Sequence, residues 1–259
     1  MLSLFKRLLG GYLAVLCCAP WATAEPLKVP LVTYYDYAPF QVGDGRQGLN
    51  RELAALLTAQ SRGRYVFVPT YYPKGRLDAM LTEPSFAAAV AWLHPAFVRD
   101  EARTKFAWTK PLMNEVDLVV SPMAVPLEFS GVASLHGKTL GTIVNQRYAD
   151  IEPSIASGAL RREDAATQEG NLRKLMLRRV DVVFVSRSTL WWFRNSVDGF
   201  TTGLHIAAQP RNRFSRHVML TRALPPELID YVQHTIAELD GNARWRAAME
   251  RYHAAEQMP

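Results

Sequence analysis

Two aromatic runs, Tyr34-Tyr35-Asp36-Tyr37-Ala38-Pro39-Phe40 and Tyr71-Tyr72, stand out with Trp92, His94, Gln146, Arg147, Tyr148, Ser186 and Arg187 as side chains equipped for chemistry. Their types point to recognition rather than to bond-making, because aromatic walls carrying a few polar groups are what a small-solute pocket needs. Arg147 and Arg187 favour an anion, whereas the aromatic faces would hold a cation, and the residues leave both open. Arg76, at the start of a short helix, is a further candidate of the same sort. Each has a plainer competitor. Strand alternation turns about half of Tyr34 to Tyr37 toward packing or solvent. The three arginines compete with a solvated surface role, and His94 with a structural one. Trp191 and Trp192 read as helix core and are set aside.

Other chemistries lack their residues. Gly131 to Thr139 ends in Gly137-Lys138-Thr139 like a phosphate loop, but five residues separate Gly131 from Gly137 and a strand follows where a helix is required. No GxSxG, GxGxxG or HExxH occurs. The six histidines show no i, i+4 pair, so no zinc site, and no other metal or cofactor, is expected. Arg161-Arg162 and Arg178-Arg179 lie beside Glu163, Asp164 and Asp181 and read as solvated helix faces rather than a nucleic-acid stripe. Asp36 is the one acid in the first part of the chain that could serve an enzyme as acid or base.

These residues sit at the ends of alternating strands and helices. Strands are expected at Leu27–Thr33 (broken by Pro30), Tyr65–Val68, Phe86–Leu93, Glu115–Ser121, Thr139–Val144, Asp181–Ser186, Leu204–Ala208 and His217–Thr221. Helices are expected from an Asn50 cap through Ala59, at Arg76–Leu81, near Tyr148–Ser157, at Asn171–Arg179 and Thr189–Asn195, and from Pro225 onward with Gly241 as a break. Such alternation implies an α/β fold with mostly parallel sheets. The pattern restarts after Pro122–Pro126, which suggests two lobes. In open α/β sheets ligands sit beyond the C-terminal ends of strands, where the candidates above fall.

Residues 1–24 read as a secretory signal. Lys6 and Arg7 precede an apolar stretch from Leu8 to Ala19, and Ala22-Thr23-Ala24 supplies the small-x-small pattern for cleavage before Glu25. Lipidation at Cys17 or Cys18 ranks low, because Leu16 and Cys17 hold the positions where a small residue is wanted. Of 30 Lys+Arg against 24 Asp+Glu, a net +6, two positive charges and both cysteines leave with the signal. The mature chain then has neither a disulfide nor a thiol nucleophile.

The order of export signal, strand, Tyr37-Ala38-Pro39-Phe40, Gly48 and the helix over Asn50–Ala59 resembles bacterial extracellular solute-binding proteins of family 3, which serve ABC importers. Ala102-Arg103-Thr104-Lys105-Phe106-Ala107-Trp108-Thr109-Lys110-Pro111-Leu112 is similar to that family's "ERxxxxxFSxPY" stretch. Gly137 to Thr142 and Arg179 to Phe184 add to the likeness, which covers nearly all of residues 27–253. The resemblance implies a two-lobed periplasmic-binding-protein type II fold with two crossings, near Asn114–Pro122 and Pro210–His217. Residues 25–116 and 214–259 would form a discontinuous first lobe and 117–213 the second.

The family's ligand anchors differ here. Its carboxylate-clamping arginine falls on Ala102, with Arg103 one residue off; its ammonium-binding aspartate falls on Ser186; its Gly-Thr helix start falls on Asn145-Gln146. An ordinary free α-amino acid is therefore not the expected ligand. The expectation is a monomeric periplasmic protein that closes on a small polar or aromatic/anionic solute and presents it to a membrane permease. The alternatives are a sensor that signals to a membrane receptor, or a small dehydratase-like enzyme on the same fold.

Overall fold

The apolar run Leu27–Thr33 forms β1, buried on both faces beyond Pro30, as the interior strand of a parallel sheet must be. The structure is a computed structural model of the 259-residue chain and describes residues 25–196 and 203–255; the expected signal at 1–24 lies outside them. Pro30 does not end β1, because β3 pairs with it only from Leu31 onward and leaves Pro30 at an edge on that side. Next come α1 (Leu49–Gln60), β2 (Tyr65–Tyr71), α2 (Lys74–Met80), β3 (Ala89–Leu93), the short β4 (Ala107–Trp108) and the long β5 (Met113–Pro122). The second half holds β6 (Thr139–Ile143), α3 (Glu152–Ala156), β7 (Arg161–Ala165), α4 (Gln168–Met176), β8 (Val182–Ser186), α5 (Arg187–Ser196) and β9 (Leu204–Ile206). The chain then runs through β10 (Asn212–Leu220), α6 (Pro226–Ala237) and α7 (Ala243–Arg251), with a single 3-10 turn at Leu239–Gly241 making the break between the last two helices.

The strand order is β2-β1-β3-β10-β5-β8-β6-β7. β1, β2 and β3 are parallel, as are β6, β7 and β8. Two antiparallel strands join the halves. β10 pairs with β5 over Asn212–Arg216 and, after an irregularity at His217/Val218, with β3. β5 pairs with β8 over Asp117–Val120. Each half buries apolar side chains on both sheet faces. In the first, α1, α6 and α7 cover one face and α2 with Phe86 and Trp108 the other. In the second, α4 and α5 cover one face, and Leu135, Ile151 and Leu160 the other.

Two local expectations are corrected. Asn50 does not cap α1, whose N-cap is Gly48. Instead Asn50 is buried, donating to the Leu31 carbonyl at 3.3 Å and accepting from the Trp92 indole at 3.1 Å. Arg161-Arg162 are not on a helix but in β7, which among the described residues pairs only with β6; charge on a sheet edge blocks further pairing.

The aromatic loop after β1 is docked at Gly48, whose φ of +117° favours glycine. Its N–H donates to the Tyr252 hydroxyl at 3.0 Å, and the next two N–H groups, of Leu49 and Asn50, donate to the carbonyls of Pro39 and Phe40. A Cβ at Gly48 would lie 2.4 Å from the Phe40 carbonyl oxygen. Gly48→Ala is therefore expected to lower stability by about 1–3 kcal/mol, read from urea denaturation; an unchanged midpoint would mean that the loop is not docked this way.

Asp100 gathers the segment that leads into β4. Its carboxylate, 2% exposed as a residue, accepts from the N–H groups of Thr104, Lys105 and Phe106 and from the Trp108 indole. Burial pushes its pKa up, but the four donors outweigh this and hold it below the usual aspartate value. A depressed folded pKa contributes stability above the unfolded value, near pH 4, that is lost as pH falls toward the folded one. Asp100→Asn should therefore be less stable at neutral pH and lose less stability between pH 6 and about pH 3. Urea midpoints across that range test this, and parallel curves for the two proteins would refute it.

Candidate ligand-binding site

The two crossing strands carry opposite charges on one face. Glu115 and Asp117 alternate along β5, and the register sets Phe214 opposite Glu115 and Arg216 opposite Met113, so these side chains project together. Glu115 and Arg216 form an ion pair at 3.3 Å with side chains 0% and 2% exposed. Arg216 donates further to the Ser186 hydroxyl at 2.9 Å and the Trp92 carbonyl at 3.2 Å. Glu115 accepts from the Ser188 hydroxyl at 2.6 Å and the Ser188 N–H at 3.3 Å, in the first turn of α5. The guanidinium carbon lies 4.8 Å from the ring centres of Tyr35 and Phe40 and 5.0 Å from that of Phe214. Burial opposes the Arg216 charge, yet Tyr35 and Glu115 hold its pKa above the ordinary arginine value.

A second pair extends this floor. Arg211 donates to Asp117 at 3.0 Å and to Asp150, and its guanidinium covers the rings of Tyr148 and Phe184. It thus ties the loop after β6 to the crossing strands. Burial raises the Asp117 pKa, against the pull of Arg211.

The walls come from both halves. The Tyr34 and Tyr35 hydroxyls share a 2.7 Å hydrogen bond, and Tyr37 meets Tyr35 edge-on at 5.5 Å. Burial raises the pKa of Tyr37; Tyr35 adds to the rise on the same loop, and Tyr148 and Asp117 add to it from the other half. Tyr148 is raised likewise, by burial first and then Asp117, with a smaller contribution from Tyr35. The loops after β1 and β6 are both anchored on the acid-bearing face of β5, the first by Arg216 against Tyr35 and Phe40 and the second by Arg211 against Tyr148.

The other sequence candidates take several positions. Trp92 is a core residue, 0% exposed, stacked on Trp245, and reaches the floor through its carbonyl. His94 lies against Phe97 and Phe214; burial, then Arg103, lowers its pKa. Gln146 holds the loop after β6 through its backbone, its carbonyl accepting from Arg162 at 2.8 Å. Arg147 is exposed and pairs with Glu152 at 3.1 Å. Asp36 is exposed and accepts from Tyr71 at 3.4 Å. Arg76 covers the Tyr72 ring at 4.4 Å, where Tyr72 packs on Phe86, away from the floor. Arg187 lines a cavity of about 340 Å³ with Leu118, Trp191 and Arg213, on the face of β5 opposite Glu115 and Asp117.

Sequence reasoning passed over Glu115, Asp117, Arg211, Phe214 and Arg216. The strand-end rule does not reach residues within long crossing strands. The available signal was an acid pair two residues apart in one crossing, a mostly apolar strand, and arginines in and just before the other.

No protein-family model matches this sequence, and no curated protein does. Solved structures do. The chain is similar to the substrate binding protein of an amino acid ABC transporter, at 14% identity over 87% of this chain and 98% of that one, with a TM-score of 0.63. It is similar to the GluR0 ligand-binding core from Nostoc punctiforme in complex with L-glutamate, at 12% identity over 88% and 100%, TM-score 0.66. It is also similar to the ancestral amino acid-binding protein AncCDT-1, a precursor of cyclohexadienyl dehydratase, at 14% identity over 87% and 95%, TM-score 0.63. Likeness at this level shows the fold: the chain has the two-lobed periplasmic-binding-protein type II architecture.

Proposed function

We propose that this chain is a periplasmic solute-binding protein, released from its signal after Ala24, that closes two lobes about a small solute and presents it to an ABC-type membrane permease. The lobes are residues 25–116 with 214–259, and 117–213. The observation that carries this reading is that Arg216, on the second crossing strand, donates to the Trp92 carbonyl of one lobe and to the Ser186 hydroxyl of the other, with Tyr35 of the first lobe packed on it and Tyr148 of the second packed on Arg211 beside it. A solute held there would touch both lobes and favour their closed arrangement, which is what a closing binder requires.

An ordinary free α-amino acid remains a poor ligand. Ser186 spends its hydroxyl on Arg216, and Glu115, paired with the same guanidinium, also accepts from Ser188. Arg103 is exposed, its charge helps lower the His94 pKa, and it is the cation we assign to the anionic end of a ligand. A thermal-shift screen of the mature protein against small aromatic and polar carboxylates, with free amino acids included, tests this. Saturable stabilisation by a carboxylate is expected, worth about 2.7 kcal/mol at a hundredfold excess over Kd. Stabilisation by standard amino acids alone would overturn the ligand assignment. Sensing through a membrane receptor would use the same binding step, and a signalling gene rather than a permease gene beside this one would favour it.

A second reading, a small acid–base enzyme on this fold, has one observation in its favour. Desolvation raises the pKa of the Asp117 carboxyl, whose partner Arg211 lies over the Tyr148 ring. Its hydrogen bond to Arg211 argues for the ionised, structural state. Turnover of any stabilising compound, lost in Asp117→Asn, would decide for the enzyme.

A further inference from the structure

Arg216 makes every contact that a bound alkylguanidinium would make. Its planar head lies against three aromatic rings, two from the first-lobe loop and one from the second crossing strand. Its N–H groups donate to a carboxylate, a carbonyl and a hydroxyl, from Glu115, Trp92 and Ser186. Ser186 ends β8 in the second lobe and Trp92 lies in β3 of the first, so the head spans the two lobes as a ligand would. Aromatic faces, a carboxylate and fixed acceptors are the full inventory for recognising a guanidinium.

We propose that Arg216 is a tethered occupant of a guanidinium cage in the cleft floor, and so the residue that bars cationic solutes from this site. The inference rests on the solute-binding reading and deepens it by naming the ligand class that is refused. The neighbouring aromatic faces are taken in the same way. Arg211 covers Tyr148 and Phe184, and Lys74 lies 5.8 Å from the Tyr34 ring centre. Both carboxylates of the floor are neutralised by the chain's own arginines. An incoming guanidinium or ammonium compound therefore finds Tyr35, Phe40, Phe214, Tyr148 and Phe184 already against the chain's own cations, and both floor carboxylates already paired. The groups left at the walls are phenol hydroxyls, which serve neutral and anionic partners.

The test is chemical rescue. Arg216→Ala empties the cage while keeping Tyr35, Phe40, Phe214 and Glu115. Ethylguanidinium at millimolar concentration should raise its thermal midpoint saturably and restore half or more of the loss, while ethylammonium restores much less. The wild-type protein should show no saturable shift with ethylguanidinium, L-arginine or choline. If Arg216→Ala does not fold alone, the readout becomes the yield of folded protein on refolding with and without ethylguanidinium. Failure of rescue, equal rescue by ethylammonium, or saturable stabilisation of the wild type by any of the three cations would overturn the proposal. The rescue needs no natural ligand, so it can succeed where the solute screen finds nothing and fail where the screen succeeds.

Discussion

Arg216→Ala should cost about 3–5 kcal/mol, because it leaves the Glu115 carboxylate buried without its partner. For a protein of this size that is a fall of roughly 10 °C in thermal midpoint. The loss should shrink sharply when Glu115→Gln accompanies Arg216→Met, which removes both charges and fills the volume under Tyr35 and Phe40 with an apolar chain. Thermal denaturation of Arg216→Met, Glu115→Gln and their double variant, with Arg216→Ala measured beside them, tests this as a cycle. Equal losses in Arg216→Ala and in the double variant would mean that the stabilisation comes from aromatic packing and not from the pair. The fold explains why so much rests here. The first- and second-half cores are separate clusters, and this buried polar joint lies on the strands between them.

Trp92→Ala is the second large effect, at about 3–5 kcal/mol. The indole is 0% exposed, stacks on Trp245 at 6.2 Å between ring centres, and donates to Asn50, which itself holds the Leu31 carbonyl of β1. Removing it opens a cavity under Phe40 and leaves Asn50 with an unmet acceptor. The backbone adds a sharper signature. Trp92 has φ of +72°, left-handed, where a Cβ costs roughly 1 kcal/mol. Trp92→Gly should therefore be no less stable than Trp92→Ala, the reverse of the usual order in a strand. Urea unfolding of both variants measures it; a glycine variant clearly weaker than the alanine one would place the residue in ordinary extended backbone. Because the Trp92 carbonyl accepts from Arg216, both variants should also loosen the floor and weaken any ligand that the cleft takes.

Much of the architecture was legible because apolar runs and turn residues carry it. Val182 to Val185 and Ala89 to Leu93 are buried along their whole length, which short uninterrupted apolar runs announce. β7 was not legible, since Arg161-Arg162-Glu163-Asp164 has the composition of a solvated helix, and only its place at the sheet edge makes it a strand. The same limit governed the site. Tyr34, Tyr35, Tyr148 and Ser186 were singled out because they stand at or beyond the ends of strands. Arg216 and Glu115 were missed because a buried charge looks in sequence like a surface one, and only register brings the two together. Trp92 was singled out for its indole, yet its carbonyl is what reaches the floor, and backbone direction leaves no mark in residue type.

The central claim is that one solute is gripped by both lobes at once. Isothermal titration of the best carboxylate from the screen against wild type, Tyr37→Ala, Tyr148→Ala and the double variant tests it most directly. Each single variant should weaken binding about tenfold, the loss of one good contact of about 1.4 kcal/mol. The double variant should lose less than the two losses added together, because the rings act on a shared ligand. Binding that responds to Tyr37 alone, to Tyr148 alone, or to neither would contradict the account and place the ligand on one lobe or elsewhere.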